Sequence, residues 1–171
     1  MLAAIQQTEA ALEALVQAEI LEPSDSDISL IRGSILATKG EYAEAEEYFY
    51  KALENSENKE DIYYQLAGLF QLQGNYDRAL SYLKKTLKIN QDNQDALYEL
   101  AFCYDILERQ EESISFYNAF IDTDPYSYTA WYNLGNAYHK LSQFEEAIDA
   151  YDYAILIKEN FSSAYFNKGN A

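Results

Sequence analysis

Two pairs of asparagines recur along the sequence at a fixed spacing. Asn133 and Asn136 lie three residues apart, and Asn167 and Asn170 repeat the same pair 34 residues later. Side chains three residues apart on a helix project from one face, so each pair would present two amides side by side. An amide both donates and accepts hydrogen bonds, which matches the N–H and C=O groups of a peptide main chain. A surface of such amides therefore matches a peptide backbone without reading its sequence.

No comparable pattern predicts catalysis. The only histidine, His139, is followed by Lys140, and no serine, cysteine or aspartate at a suitable spacing completes a triad or a proton relay. The only cysteine, Cys103, falls within the apolar pattern of a helix and is expected to be a buried small residue. The acidic residues between 44 and 47 lack the spacing of a calcium loop, and no Cys or His pairs indicate zinc. We therefore expect no catalytic residue, no metal site and no cofactor.

The asparagine spacing is part of a period that runs through the chain. Small residues recur every 34 positions, at Ala67, Ala101, Gly135 and Gly169. Within each period the apolar residues follow helical spacing, and Gly40 and Gly74 mark a turn between two such stretches. Two amphipathic helices joined by a short turn must bury their apolar stripes against each other and against neighbouring pairs. The sequence therefore predicts an all-α array of stacked antiparallel helix pairs.

One stretch carries a family signature. Residues 131–138 read Trp-Tyr-Asn-Leu-Gly-Asn-Ala-Tyr and are followed by Ala147, Tyr151 and Ala154. This pattern resembles the tetratricopeptide repeat, in which one helix carries large, Leu, small and Tyr positions and the next carries Ala, aromatic and Ala. The resemblance implies a right-handed superhelical array, an α-solenoid of antiparallel helix pairs.

The period also predicts the organisation of the chain. Four complete repeats are expected at 26–59, 60–93, 94–127 and 128–161. Residues 1–25 resemble the second half of a repeat, and residues 162–171 resemble the start of another one. We therefore expect a single array with partial repeats at both ends, cut from a longer parent chain.

The resemblance also implies where a ligand binds. In this family the first helix of each repeat lines a concave groove, and fixed positions of that helix point into it. The predicted peptide-binding residues at these positions are Tyr64, Tyr98, Glu99, Phe102, Tyr132, Asn133, Asn136, Phe166, Asn167 and Asn170. Two alternatives remain open: the aromatic rings cover neighbouring helices, and the asparagines cap or bridge within the array.

Acidic residues dominate the charge of the chain. It has 29 Asp and Glu against 12 Lys and Arg, which gives a formal net charge of -17. Nucleic acid is not expected as a partner, because phosphate contacts need clustered Lys and Arg. Groove positions at which some relatives hold Lys and Arg for a terminal carboxylate carry Asp61, Asp95 and Glu99 here. A neutral or basic peptide is therefore expected, with an acidic surface that only maintains solubility as the alternative.

Together these features predict a non-catalytic protein–protein interaction scaffold that binds an extended peptide or helix of a partner protein in its concave groove. One alternative is a regulatory or substrate-docking segment of a larger enzyme, such as a glycosyltransferase or a signalling kinase. Another is a self-assembly module that associates through uncapped ends, because no following unit covers Tyr165 and Phe166. No apolar run is long enough for a membrane span. The sequence does not fix the compartment, and a cytoplasmic location is favoured.

Overall fold

The computed structural model describes residues 2–171, with side chains described from residue 9 onward. Within this part the chain forms ten α-helices and no strand. The helices are α1 (Leu2–Leu21), α2 (Ser26–Lys39), α3 (Tyr42–Asn55), α4 (Glu60–Leu72), α5 (Tyr76–Ile89), α6 (Gln94–Ile106), α7 (Gln110–Thr123), α8 (Tyr128–Lys140), α9 (Phe144–Ile157) and α10 (Ser162–Asn170). The predicted all-α class is confirmed.

The helix boundaries repeat with the period of the sequence. The starts of the first helices of the pairs are 34 residues apart along the series α2, α4, α6, α8 and α10. The starts of the second helices have the same spacing along the series α3, α5, α7 and α9. Several starts carry a side-chain cap: Asp25 accepts from the backbone N–H of Asp27 at 2.7 Å, and Asn93 accepts from Ala96 at 2.8 Å. The repeating unit is therefore a pair of helices.

The turn inside each pair uses one backbone conformation. Gly40 and Gly74 have φ values of 83° and 71°, and the residues at the same phase in the later pairs, Glu108 and Ser142, have φ values of 57° and 59°. This left-handed conformation ends the first helix and is intrinsically easy only for glycine. The turn that the sequence predicts at this phase is confirmed.

Contacts divide the chain into two compact units, one ending at Thr86 and the other beginning at Leu87. In the first unit α1 packs on α2, α2 on α3, and α3 on α4. In the second unit α6 packs on α7, α7 on α8, α8 on α9, and α9 on α10. Within each unit, these helices therefore pack on their neighbours in sequence, as expected for a helical repeat.

Close approach of the paired helices depends on a glycine in each unit. A Cβ atom added to Gly33 would lie 2.7 Å from the ring of Phe49, and one added to Gly135 would lie 2.6 Å from the ring of Tyr151. Both aromatic rings are buried. The glycines thus leave room for a large ring from the second helix of the pair.

The core of the second unit combines aromatic and aliphatic side chains. Tyr117, Phe120 and Leu134 are buried in one apolar cluster, and the rings of Tyr98 and Phe120 form a T-shaped pair with centroids 5.2 Å apart. Cys103 is fully buried, as predicted. None of the helices in the described part of the chain combines the length and apolar character that crossing a bilayer requires.

Candidate functional site

A cleft in the second unit is lined mainly by side chains from the first helices of successive pairs. It has a volume of about 330 Å³. Helix α6 contributes one residue, α8 three, α9 one and α10 two: Asp105, Asn136, His139, Lys140, Tyr151, Asn167 and Asn170. Three of the predicted peptide-binding asparagines therefore lie around one cleft.

Hydrogen bonds orient two of these amides. Oδ1 of Asn136 accepts from the Tyr151 hydroxyl at 2.9 Å and from Nδ2 of Asn167 at 2.8 Å. The same Nδ2 of Asn167 also donates to the hydroxyl of Tyr132 at 3.0 Å. An amide nitrogen has two hydrogens, so Asn167 has used both. Asn136 therefore offers its NH₂ group to the cleft, and Asn167 offers its carbonyl oxygen.

The core supports this arrangement through Tyr151. Its ring is buried against Gly135, and its hydroxyl reaches the cleft. Burial raises the pKa of Tyr151 to about 12. The phenol therefore stays protonated at neutral pH and serves as a hydrogen-bond donor to Asn136.

Two charged residues of the cleft pair with each other. Nζ of Lys140 lies 2.7 Å from Oδ1 of Asp105, across a separation of 35 residues. The ring of His139, also in the cleft, forms a T-shaped pair with the ring of Phe144, with centroids 5.5 Å apart. Among the described residues, no group of three or more His, Cys, Asp or Glu side chains is arranged to hold a metal ion. The cleft therefore offers mainly neutral hydrogen-bonding groups.

Asn133 does not line this cleft. Its Nδ2 donates to the hydroxyl of Tyr98 at 2.9 Å, also across 35 residues. The bond from Asn167 to Tyr132 repeats this contact one repeat later. Both asparagines thus bridge successive first helices, which was one of the alternatives that the sequence left open.

The predicted aromatic residues of the second unit are largely engaged in packing. The rings of Tyr98 and Tyr117 form a T-shaped pair with centroids 5.8 Å apart, and burial raises the pKa of Tyr98. The ring of Tyr132 meets Phe161 edge-on at 4.9 Å. Phe166, on α10, is 71% exposed. The rings of Tyr98 and Tyr132 therefore cover neighbouring side chains, whereas Phe166 is open to a ligand.

The remaining predicted residues of the second unit, Glu99 and Phe102, are half-buried on α6. Neither lines the cleft that contains the asparagines. The structure thus groups Asn136, Asn167 and Asn170 and leaves these two outside.

Tyr64 belongs to a separate cleft in the first unit. This cleft has a volume of about 450 Å³ and lies between α2 and α4; its lining residues are Leu30, Ile31, Ser34, Ile35, Thr38, Asp61, Tyr64 and Gln65. The hydroxyls of Ser34 and Thr38 donate to backbone carbonyls of their own helix, at 3.0 and 2.7 Å. The hydrogens of both hydroxyls are therefore used within the helix, and the α2 side of the cleft is mainly aliphatic.

Two contributors to the second-unit cleft were missed by sequence reasoning. Tyr151 was assigned only to the core, because its helix is not the one that lines the groove in the family. The pairing of Lys140 with Asp105 was not foreseen, although its 35-residue separation is the same as that of the Asn133–Tyr98 contact. A search for complementary side chains one repeat plus one residue apart would have found the Lys140–Asp105 and Asn133–Tyr98 pairs.

Models of the tetratricopeptide repeat family match residues 26–92, 70–119 and 128–161. A comparison with curated protein sequences gave no match. Among solved structures, YrrB, described as a tetratricopeptide repeat protein with an unusual peptide-binding site, is 26% identical over 98% of this chain and 87% of its own, with a TM-score of 0.82. MamA is 20% identical over 94% of both chains, with a TM-score of 0.84. A tetratricopeptide repeat protein from Parabacteroides merdae is 19% identical over 98% of this chain and 67% of its own, with a TM-score of 0.84.

Proposed function

This chain belongs to the tetratricopeptide repeat family, and we propose that it is a non-catalytic scaffold that holds an extended segment of a partner protein in the cleft of its second unit. The observation that supports this most is the fixed orientation of the two amides in that cleft. Asn136 presents hydrogen-bond donors and Asn167 presents an acceptor. A peptide unit offers the complementary C=O and N–H groups.

The orientation of these amides lowers the cost of binding. A side chain that is already held by two hydrogen bonds loses little freedom when a ligand arrives. Asn170 is exposed at the same cleft and supplies a further amide. Each hydrogen bond contributes only about 0.5–1.5 kcal/mol, so several must act together.

The partner segment is neutral or basic. The chain carries a net charge of -17, and the only lysine lining the cleft is paired with Asp105. An acidic peptide would meet repulsion from the whole chain and no available cation at this site. The aliphatic cleft around Tyr64 in the first unit suits an aliphatic or proline side chain of a ligand.

The solved structure of YrrB favours the same proposal. That protein has a peptide-binding site according to its description, and it shares 26% identity with this chain over 98% of this chain. The likeness makes a peptide the first ligand class to test.

The test begins with a displayed library of random peptides selected on the intact chain. Titration calorimetry of a selected peptide then compares the wild type with Asn136→Ala and Asn170→Ala. Loss of one hydrogen bond should weaken binding by about 2–12-fold. Asn118→Ala, an exposed asparagine on α7, is the matched control and should bind as the wild type does. Equal affinity of all four proteins would remove the cleft from the proposal.

Self-association is a second candidate, supported by the exposure of Tyr165 and Phe166 on α10. An exposed apolar pair of this kind can pair between molecules. Light scattering over a concentration series tests it, with Phe166→Ser as the variant that should remain monomeric. A wild type that is monomeric at every concentration argues against this candidate. The role of a docking segment in a larger enzyme stays an expectation from the sequence.

A further inference from the structure

The outward faces of two second helices carry opposite chemistry at the same phases of the repeat. On α5 these exposed positions hold Lys84, Lys85 and Lys88. On α9, 68 residues later, the equivalent exposed positions hold Asp152, Tyr153 and Leu156. Three lysines form an ordinary solvated helix face, whereas an exposed tyrosine and leucine beside an aspartate do not.

The two helices also differ in what their outward side chains place against an aromatic residue of the preceding helix. Nζ of Lys85 lies 5.3 Å from the ring centre of Tyr63. At the equivalent place on α9, the ring of Tyr153 stacks on Trp131 with centroids 4.4 Å apart and an interplanar angle of 23°. A cation over an aromatic ring is thus replaced by a second aromatic ring. The apolar surface continues outward from Trp131 through Tyr153.

This surface borders a recess. Asp149, Asp152, Tyr153, Ile155 and Leu156 line a volume of about 530 Å³. Tyr153 is 51% exposed and Leu156 is 76% exposed. The recess is large enough to receive side chains of a partner. It shares no residue with the cleft that contains the asparagines.

The face is acidic as well as apolar. Helix α9 contains Glu145, Glu146, Asp149 and Asp152 and no Lys or Arg. Nζ of Lys168 donates a hydrogen bond of 2.7 Å to Oδ2 of Asp152. Among the described side chains, no ion pair involves Asp149. The carboxylate of Asp149 is therefore available to pair with a ligand cation at the edge of the apolar recess.

We propose that the outward face of α9 is a second docking surface, which binds a basic amphipathic helix of a partner protein. Asp149, Tyr153 and Leu156 are spaced four and then three residues apart, so they form one stripe along the helix. A helix packed on that stripe inserts an aliphatic side chain between Tyr153 and Leu156 and places a Lys or Arg beside Asp149. A second copy of this chain is a poorer occupant, because two copies each carry a charge of -17.

The experiment uses the intact chain and a fluorescein-labelled helical peptide of about 18 residues, long enough to form a helix when bound, with leucines on one face and lysines on the other. Fluorescence anisotropy compares the wild type with Tyr153→Lys and Leu156→Lys. Both variants install the residue that α5 carries at the same phase, so we expect them to fold. Each should weaken peptide binding by about tenfold or more, as expected for an apolar anchor.

Three controls separate this surface from general charge effects and from the cleft. Leu72→Lys changes an exposed leucine on α4 (59% exposed) and should bind the peptide as the wild type does. Asn136→Ala should also leave binding unchanged. The same peptide with glutamates in place of its lysines should not bind.

Several results would overturn the proposal. Unchanged affinity of Leu156→Lys, an equal loss with Leu72→Lys, or binding of the glutamate peptide would each do so. Self-association of the wild type that Leu156→Lys abolishes would show that a second copy of the chain covers the face, and the basic partner would then be wrong.

Discussion

The hydroxyl of Tyr151 donates a hydrogen bond of 2.9 Å to Oδ1 of Asn136. One side chain therefore serves two purposes, since its ring fills the space beside Gly135 and its hydroxyl orients an amide in the cleft. Packing of the helix pair and geometry of the proposed binding site are coupled through this residue. Changes on either side of the contact should affect both.

Tyr151→Phe removes the hydroxyl and keeps the ring. We expect the free energy of unfolding to fall by about 0.5–1.5 kcal/mol, because Oδ1 of Asn136 then accepts one hydrogen bond instead of two. Urea denaturation measures this change. Tyr153→Phe removes a hydroxyl from an exposed ring and should stay within about 0.5 kcal/mol of the wild type. Equal effects of the two variants would show that the Tyr151 hydroxyl contributes nothing to stability.

Gly135→Ala and Gly68→Ala should change stability in opposite directions. A Cβ atom at Gly135 would lie 2.6 Å from the Tyr151 ring, so the buried ring or the helices must shift, at a cost of about 1–3 kcal/mol. A Cβ atom at Gly68 meets nothing within 4 Å. Alanine there should stabilise helix α4 by about 0.5–1 kcal/mol.

Thermal unfolding of both glycine variants provides the comparison. A stabilised Gly135→Ala variant would mean that the helix pair adjusts freely, contrary to the tight packing seen between Gly135 and Tyr151.

Ser113→Ala should stabilise the protein. Ser113 is fully buried on α7, and its Oγ has no hydrogen-bond partner among the described residues. At the same phase helices α3, α5 and α9 carry alanines, all of them buried: Ala45, Ala79 and Ala147. Removing the hydroxyl should recover about 1–3 kcal/mol of desolvation cost. The melting temperature should then rise by roughly 2–4 °C for each kcal/mol.

The exposed Ser115 on the same helix supplies the matched variant, Ser115→Ala, which should stay within about 0.5 kcal/mol of the wild type. If Ser113→Ala instead lowers the melting temperature, the hydroxyl has a partner that compensates for its burial.

The attachment of α1 should depend on pH through Glu19. Its carboxylate pairs with Lys51 and, at 2.8 Å, with Arg32. The hydrogen bond from Lys51 lowers the pKa of Glu19 below its ordinary value near 4.5. A lowered pKa in the folded state means that the stabilisation is present above pH 4.5 and is lost as the pH falls through the folded-state value.

Glu19→Gln should therefore be less stable than the wild type at pH 7, and the difference should shrink as the pH falls below about 4.5. Denaturation curves between pH 3 and 7 measure this. Glu22→Gln, at an exposed position after α1, should follow the wild type throughout. A constant difference between Glu19→Gln and the wild type would exclude Glu19 as the source of the pH dependence.

The periodic pattern was sufficient to predict the helix pairs. Trp131 and Tyr63 occupy equivalent places in helix pairs two periods apart, and the left-handed turn falls at one phase from Gly40 to Ser142. These features depend on local backbone preferences and on apolar spacing along a helix, which a sequence states directly. The prediction that Asn133, Asn136, Asn167 and Asn170 share one binding face came from the family's groove positions, and three of the four, Asn136, Asn167 and Asn170, line one cleft.

The tertiary structure alone decided which atoms of those amides remain for a ligand. Asn167 donates both hydrogens to Tyr132 and Asn136, and Asn133 donates to Tyr98, so the predicted clamp is partly used within the array. Such contacts join side chains 31 and 35 residues apart and depend on side-chain rotamers and on how closely two helices approach. A repeat period sets which residues become neighbours, but hydrogen-bond direction depends on distances of a few tenths of an ångström, and only packing fixes those.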